Sequence, residues 1–226
     1  MTKRGPFRKG LPLFLLAWAG LSLAPSPALA CTLPQAPLHY QVFNEKDPIG
    51  GIWIDFHHEG TRTRVETLIK AKARFLLIPV LDYRHQSKEI WEADALRRFE
   101  GKTTDNGRRY DVTVEPNGHG FKTRTNGEMA EVEAPLLSQA VWCEKALHGD
   151  RIFSPLKGRL KEVKVRYLGE EQVRTGRGTT LARTYEVTQM RKGKPVLGKL
   201  WYGADGIVVL ATFPSKQNTP VTFALQ

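Results

Sequence analysis

Residues 61–75 read TRTRVETLIKAKARF, and their alternation decides the fold. Val65, Thr67, Ile69, Ala71, Ala73 and Phe75 fall on one side of an extended chain. Arg62, Arg64, Glu66, Lys70, Lys72 and Arg74 fall on the other, with Leu68 the exception. Successive side chains of a strand point to opposite faces, so the pattern predicts a long strand with one face on a core and the other in water.

The same period recurs on both sides of this stretch. Upstream, Ile52, Ile54 and Phe56 share a face, and Glu59-Gly60 is the turn between the two strands. Downstream, residues 76–83 stay apolar but contain Pro79, which predicts a bend or an edge. Short strands are expected over 88–93, 109–115, 121–125 and 128–134. Pro116-Asn117-Gly118 and Asn126-Gly127 supply hairpin turns between them. Thr103-Thr104-Asp105-Asn106-Gly107 reads as another turn, with Asp and Asn bonding local backbone and Gly taking positive φ. Strands resume at 160–168, 181–190, 198–202, 207–213 and 221–225, with Ala204-Asp205-Gly206 as a tight link. One helix is expected, from Pro135 to Leu147, with Pro at a first helical position and His148-Gly149 at the end.

Hairpins, rather than helical crossovers, join neighbours, so the sheet is antiparallel. Ten or more strands in one sheet must curl. The expected fold is therefore all-β and mainly antiparallel: a single curled sheet forming a barrel or half-open barrel, with one short helix.

The first 30 residues carry a different signal. MTKRGPFRKG is basic, Leu11 to Leu23 is an apolar run of 13 residues, and APSPALA ends in Ala28-Leu29-Ala30. This is the pattern of a cleaved signal peptide at residues 1–30, followed by a single domain over 31–226. The run falls short of the roughly 20 residues of a membrane-spanning helix. The expected address is the periplasm of a Gram-negative bacterium. Cys31 follows directly and opens a second reading, a lipoprotein anchored at that cysteine, although Ala28 stands where a lipobox has Leu. Cys31 and Cys143 are the two cysteines, and an even count in an oxidising compartment predicts one disulfide. Lipidation of Cys31 forbids that bond, so the two readings exclude each other.

The net charge is +11, of which Lys3, Arg4, Arg8 and Lys9 belong to the leader, leaving the mature chain at +7. A basic excess suits anionic surroundings such as lipid headgroups or acidic envelope partners, and export argues against nucleic acid. Arg62, Arg64, Lys70, Lys72 and Arg74 form the candidate contact for an anionic ligand, beside an apolar pocket that a curled sheet can enclose. Trp53, Trp91, Trp142, Trp201 and Tyr202 are candidates to line it.

No G-x-S-x-G elbow, H-E-x-x-H pair or phosphate loop occurs, so no enzyme activity and no cofactor are predicted. The histidines are His39, His57, His58, His85, His119 and His148. Only His57 and His58 are close, and adjacent strand residues face opposite ways, so no metal site is expected. Glu89, Glu92 and Asp94 flank Trp91, and on a strand Glu92 and Asp94 share a face. An enzyme built on that pair would need both carboxylates in a cleft.

Taken in order, Tyr40-Gln41-Val42, Ile49-Gly50, LIKAKARFLLIPV, Glu89-Ile90-Trp91, Thr104-Asp105-Asn106-Gly107, the Pro135 to Trp142 segment and LWY-x-x-x-G, Leu200 to Gly206, form a recognisable series. It resembles an uncharacterised family of exported bacterial proteins, a domain of unknown function, over about Tyr40 to Leu225. That family is similar in pattern to half-barrel envelope proteins that carry lipoproteins between membranes. The resemblance implies a hydrophobic concave surface and no catalytic residues. The leading expectation is a non-enzymatic periplasmic binding protein that holds a lipid or acylated ligand. The second is a structural or interaction module of the envelope that meets a protein or membrane surface and has no pocket.

Overall fold

The computed structural model describes residues 33–75, 78–92, 95–118, 120–133, 144, 147, 149–155, 157–191, 193–215 and 218–226. The expected leader, both cysteines and most of the expected helix lie outside these residues. Among the described residues the chain folds as fourteen strands. They are β1 (Leu38–Asn44), β2 (Asp47–Glu59), β3 (Arg62–Phe75), β4 (Ile78–Glu92), β5 (Ala95–Asp105), β6 (Arg108–Asn117) and β7 (Gly120–Thr125). They continue with β8 (Glu128–Glu133), β9 (Arg151–Ser154), β10 (Arg159–Thr175), β11 (Gly178–Arg191), β12 (Lys194–Tyr202), β13 (Val208–Pro214) and β14 (Pro220–Leu225).

All fourteen belong to one antiparallel sheet, in the order β8-β7-β6-β5-β4-β3-β2-β1-β14-β13-β12-β11-β10-β9. Sequence neighbours pair with each other within two runs, and β1 joins the runs by pairing with β14, Tyr40 opposite Leu225. Among the described residues β8 and β9 are the two ends of this order and no ladder joins them, so the sheet they form does not close into a barrel.

The predicted strand at 61–75 is β3, and its faces are as the alternation requires. Val65 and Ala71 are buried, while Arg62, Glu66, Lys70 and Lys72 are exposed. Registers carry that inner face across the sheet: Ile54 opposes Thr67, Ile52 opposes Ile69, and His85 opposes both Ile69 and Thr103. One contiguous core results, including Tyr40, Val65, Trp91, Phe99, Val112, Leu200 and Tyr202.

The sheet curls far enough for its last strand to enter its first half. Phe153 of β9 is fully buried and meets Phe99 of β5 edge-on, ring centroids 5.5 Å apart. Gly158, in the following turn, lies so close to β6 and β7 that an added Cβ would stand 2.4 Å from Thr125 Oγ1.

Two predicted turns share a device. Asn106 and Gly107 both take positive φ, as do Asn126 and Gly127, the pattern of a type I′ hairpin. Each Asn also bonds sideways to the neighbouring hairpin. Asp82 N–H donates to Asn106 Oδ1 at 2.8 Å, and Asn106 N–H returns a bond to Asp82 O. Asp111 and Asn126 repeat the exchange.

Candidate functional site

The inner face of β2 to β5, closed over by β13, β14 and Pro155, leaves a cavity of about 80 Å³. Most of its wall is apolar: Ile52, Ile54, Ile69, Phe99, Val208 and Phe223. One stripe is not. Along β4 the inward residues are His85, Ser87 and Glu89, with Thr67 of β3 opposite Ser87. On the other side of Ser87 its partner on β5 is Gly101, where the Phe99 ring takes the space a side chain would fill.

Each polar group of the stripe is placed differently. His85 is 4% exposed, and its Nδ1 lies 2.8 Å from Thr103 Oγ1. Burial pushes its imidazole down to about 4, so it is neutral at pH 7. Glu89 is also buried, and Trp91 Nε1 donates to its Oε2 at 2.8 Å. Tyr40 reaches the cavity from β1, but its hydroxyl is committed, donating to Val208 O at 2.9 Å. Burial raises that phenol well above its ordinary range.

The candidate anionic-ligand contact lies elsewhere. Arg62, Arg64, Lys70 and Lys72 stand on the outer face of β3, separated from the cavity by the sheet itself. Arg64 Nε is 3.2 Å from Glu66, and Lys72 Nζ is 3.8 Å from Asp82. The backbone of Arg74 continues the row, opposite Pro79. A wider outer hollow of about 540 Å³ is lined by Asp55, Glu66, Lys88, Glu100, Lys102 and Asp111. Its charges are mixed in sign, so it favours no single ion.

The carboxylate cluster separates in the same way. Glu92 is exposed and paired with Arg97 at 3.1 Å, rather than set in a cleft, and Asp94 lies outside the described residues. The carboxylate that enters the interior is Glu89. The aromatics divide as well. Trp91 and Tyr202 are in the core, Trp53 stacks on His39 across the outer face, and Trp201 donates to Glu171. Trp142, Cys31 and Cys143 lie outside the described residues. Among the described residues no three His, Cys, Asp or Glu side chains come together as a metal set.

Sequence reading missed His85, Ser87 and Thr67 as one group. The signal was present: in HQSKEIW, residues 85–91, the odd positions carry His, Ser, Glu and Trp. Only register places His85, Ser87 and Glu89 of that series opposite Ile69, Thr67 and Val65.

A second polar cluster anchors the segment entering β9. Arg183 holds Glu144 with two hydrogen bonds, Nε to Oε1 at 2.7 Å and Nη2 to Oε2 at 2.5 Å. Tyr185 adds a third, donating to Glu144 Oε1 at 2.6 Å. That bond and burial push the Tyr185 phenol up to about 12. Bidentate charge-assisted bonds of this kind fix position.

The comparisons agree with this architecture. A β-barrel-like protein of a domain of unknown function, DUF1849, from Brucella abortus superposes with a TM-score of 0.63 at 12% identity, covering 87% of this chain and 98% of its own. At that identity the likeness shows the fold alone. A Bacteroides fragilis protein with a YmcC-like fold covers 87% of this chain and 97% of its own, at 9% identity and a TM-score of 0.37, too low to carry an argument. No protein of curated description matches the sequence. The family model for a domain of unknown function, DUF6134, matches residues 40–226, from the first strand to the last, and the chain belongs to that family.

Proposed function

We infer that this protein is a non-enzymatic binding protein of the bacterial periplasm, and that its curled sheet holds one end of a lipid or acylated ligand. One observation carries the reading: an apolar cavity inside the curl, bounded by Ile52, Ile54, Ile69 and Phe223, that the protein's own side chains leave unfilled. Well-packed interiors rarely keep such a space without use. A volume of about 80 Å³ takes one end of such a ligand rather than the whole. Among the described residues no ladder joins β8 to β9, and that seam gives the curl a means of widening for the rest. The exposed ion pair of Glu92 with Arg97 favours a binding role over acid–base chemistry. The leader at residues 1–30 supports the address.

The test is mass spectrometry. The full chain with its leader is expressed in a Gram-negative host, purified without detergent, and weighed in native and denaturing conditions. A co-purifying lipid that is lost on denaturation is expected. Folded protein of bare mass that also fails to take up a fluorescent fatty acid overturns the reading. The same spectra decide the cysteines: a chain starting at Cys31 and two hydrogens light carries the disulfide, and a diacylglyceryl addition marks a lipoprotein.

A second reading, an interaction module of the envelope, is favoured by the long β10–β11 hairpin. Tyr167, Leu181, Met190 and Leu197 on β10 to β12 are each about half exposed or more. That reading expects crosslinks to an envelope protein and no bound lipid.

A further inference from the structure

The polar stripe inside the cavity has more hydrogen-bonding capacity than the protein uses. Tyr40 is committed to Val208, and Glu89 receives Trp91. Three groups remain. The hydroxyls of Thr67 and Ser87 make no side-chain hydrogen bond among the described residues, and His85 uses Nδ1 alone. None of the three carries a polar atom sealed away from space without a partner. All three line the cavity. A buried donor or acceptor costs about 1–3 kcal/mol when unmet, so a ligand that meets these groups is favoured over one that does not.

Their chemistry limits the ligand. Two hydroxyls and a neutral imidazole both donate and accept but carry no charge. Among the described residues that line the cavity there is no lysine or arginine to neutralise an anion. The cations of β3 are on the far side of the sheet, so they do not neutralise a head held inside. We propose that the cavity recognises a small amphiphile by an uncharged hydroxyl or amide head, held by Thr67, His85 and Ser87, with its apolar body against Ile52, Ile54 and Ile69. This rests on the reading of the interior as a binding cavity and names the class of head it accepts.

The experiment uses the folded mature chain, with 1-hexanol, hexanamide, hexanoate and hexylamine as probes and xenon as an apolar control. Binding is followed by NMR of the His85 imidazole and by thermal shift. Hexanol and hexanamide are expected to bind at least tenfold more tightly than hexanoate or hexylamine and to move the His85 resonances. A Thr67→Val, Ser87→Ala double variant is expected to lose about tenfold in hexanol affinity while keeping xenon. If neither xenon nor hexanol enters the wild type, the cavity reading itself falls. If xenon enters but the charged probes match or exceed the alcohol, or a folded double variant binds hexanol as the wild type does, the proposed head recognition falls and the cavity stands. The wild-type probe ranking decides the matter even where a variant does not fold.

Discussion

His85 sets how stability depends on pH. Its folded pKa, about 4, lies below the ordinary value of 6.5. The unfolded chain therefore takes the proton first as pH falls. The neutral ring's contribution is complete above about pH 6.5 and is lost as pH drops toward 4, amounting to roughly 3 kcal/mol. Urea melts between pH 4 and 7 are expected to show this slope in the wild type and a flatter one in His85→Gln. Gly50 is the second position where one residue decides much. A Cβ there would stand 1.8 Å from Lys70 O, a backbone atom that cannot swing away. Gly50→Ala is expected to cost about 2–3 kcal/mol, read as a lower denaturation midpoint, because β2 must part from β3. At this scale the sequence told the two faces of β3 apart correctly, since alternation is a local property. It did not single out His85, because nothing in a one-strand pattern says which apolar neighbours will lie opposite.

Hairpins are the unit at the next scale, and their turns were legible because the required residues are few. Asn106-Gly107 and Asn126-Gly127 were read as turns, and both take left-handed backbone. Their sideways bonds to Asp82 and Asp111 were not foreseeable without the neighbouring strand in place. Replacing Asn106 or Asn126 by Ala removes both the φ preference and that bond, and each is expected to cost about 1–2 kcal/mol in thermal or urea unfolding. Gly in the same places would keep the φ and recover part of the loss. Strand limits were misread where bulges shift the phase. The alternation expected to stop at Leu168 resumes after it, because register slips between Tyr167 and Gly169, and β10 runs on to Thr175. β5 went unpredicted for the same reason: Arg97 and Arg98 are both exposed where register slips against Ile90 and Trp91. β9 has only four residues, too few to show a period. No α-helix occurs among the described residues. Of the expected helix, Glu144 and Leu147 alone are described, each at a 3₁₀ position.

The whole molecule depends on its curl. A curled antiparallel sheet followed from counting strands and turns, but the entry of β9 into the first half did not, because it joins β9 to β5, strands far apart in the order of the sheet. Phe153 holds that contact. Phe153→Ala is expected to lower stability by about 3–5 kcal/mol, as buried aromatic deletions do. The loss would be accompanied by faster amide exchange in β5 and β9, the strands that Phe153 and Phe99 bring together. The same variant is expected to enlarge the interior and to raise the uptake of apolar probes, unless the curl collapses onto the gap.

The order of the strands has one more consequence. Twelve of the thirteen ladders join consecutive strands, and only the pairing of β1 with β14 spans nearly the full chain. The fold is topologically a continuous run of hairpins cut in the middle of the sheet. A circular permutant that starts at residue 134, links residue 226 to residue 33 with a short loop and ends at Glu133 would turn that one distant pairing into another hairpin. Such a chain has much lower contact order, and folding rate rises as contact order falls. It is expected to reach the same sheet faster than the natural chain, which must close β1 onto β14 across the whole sequence.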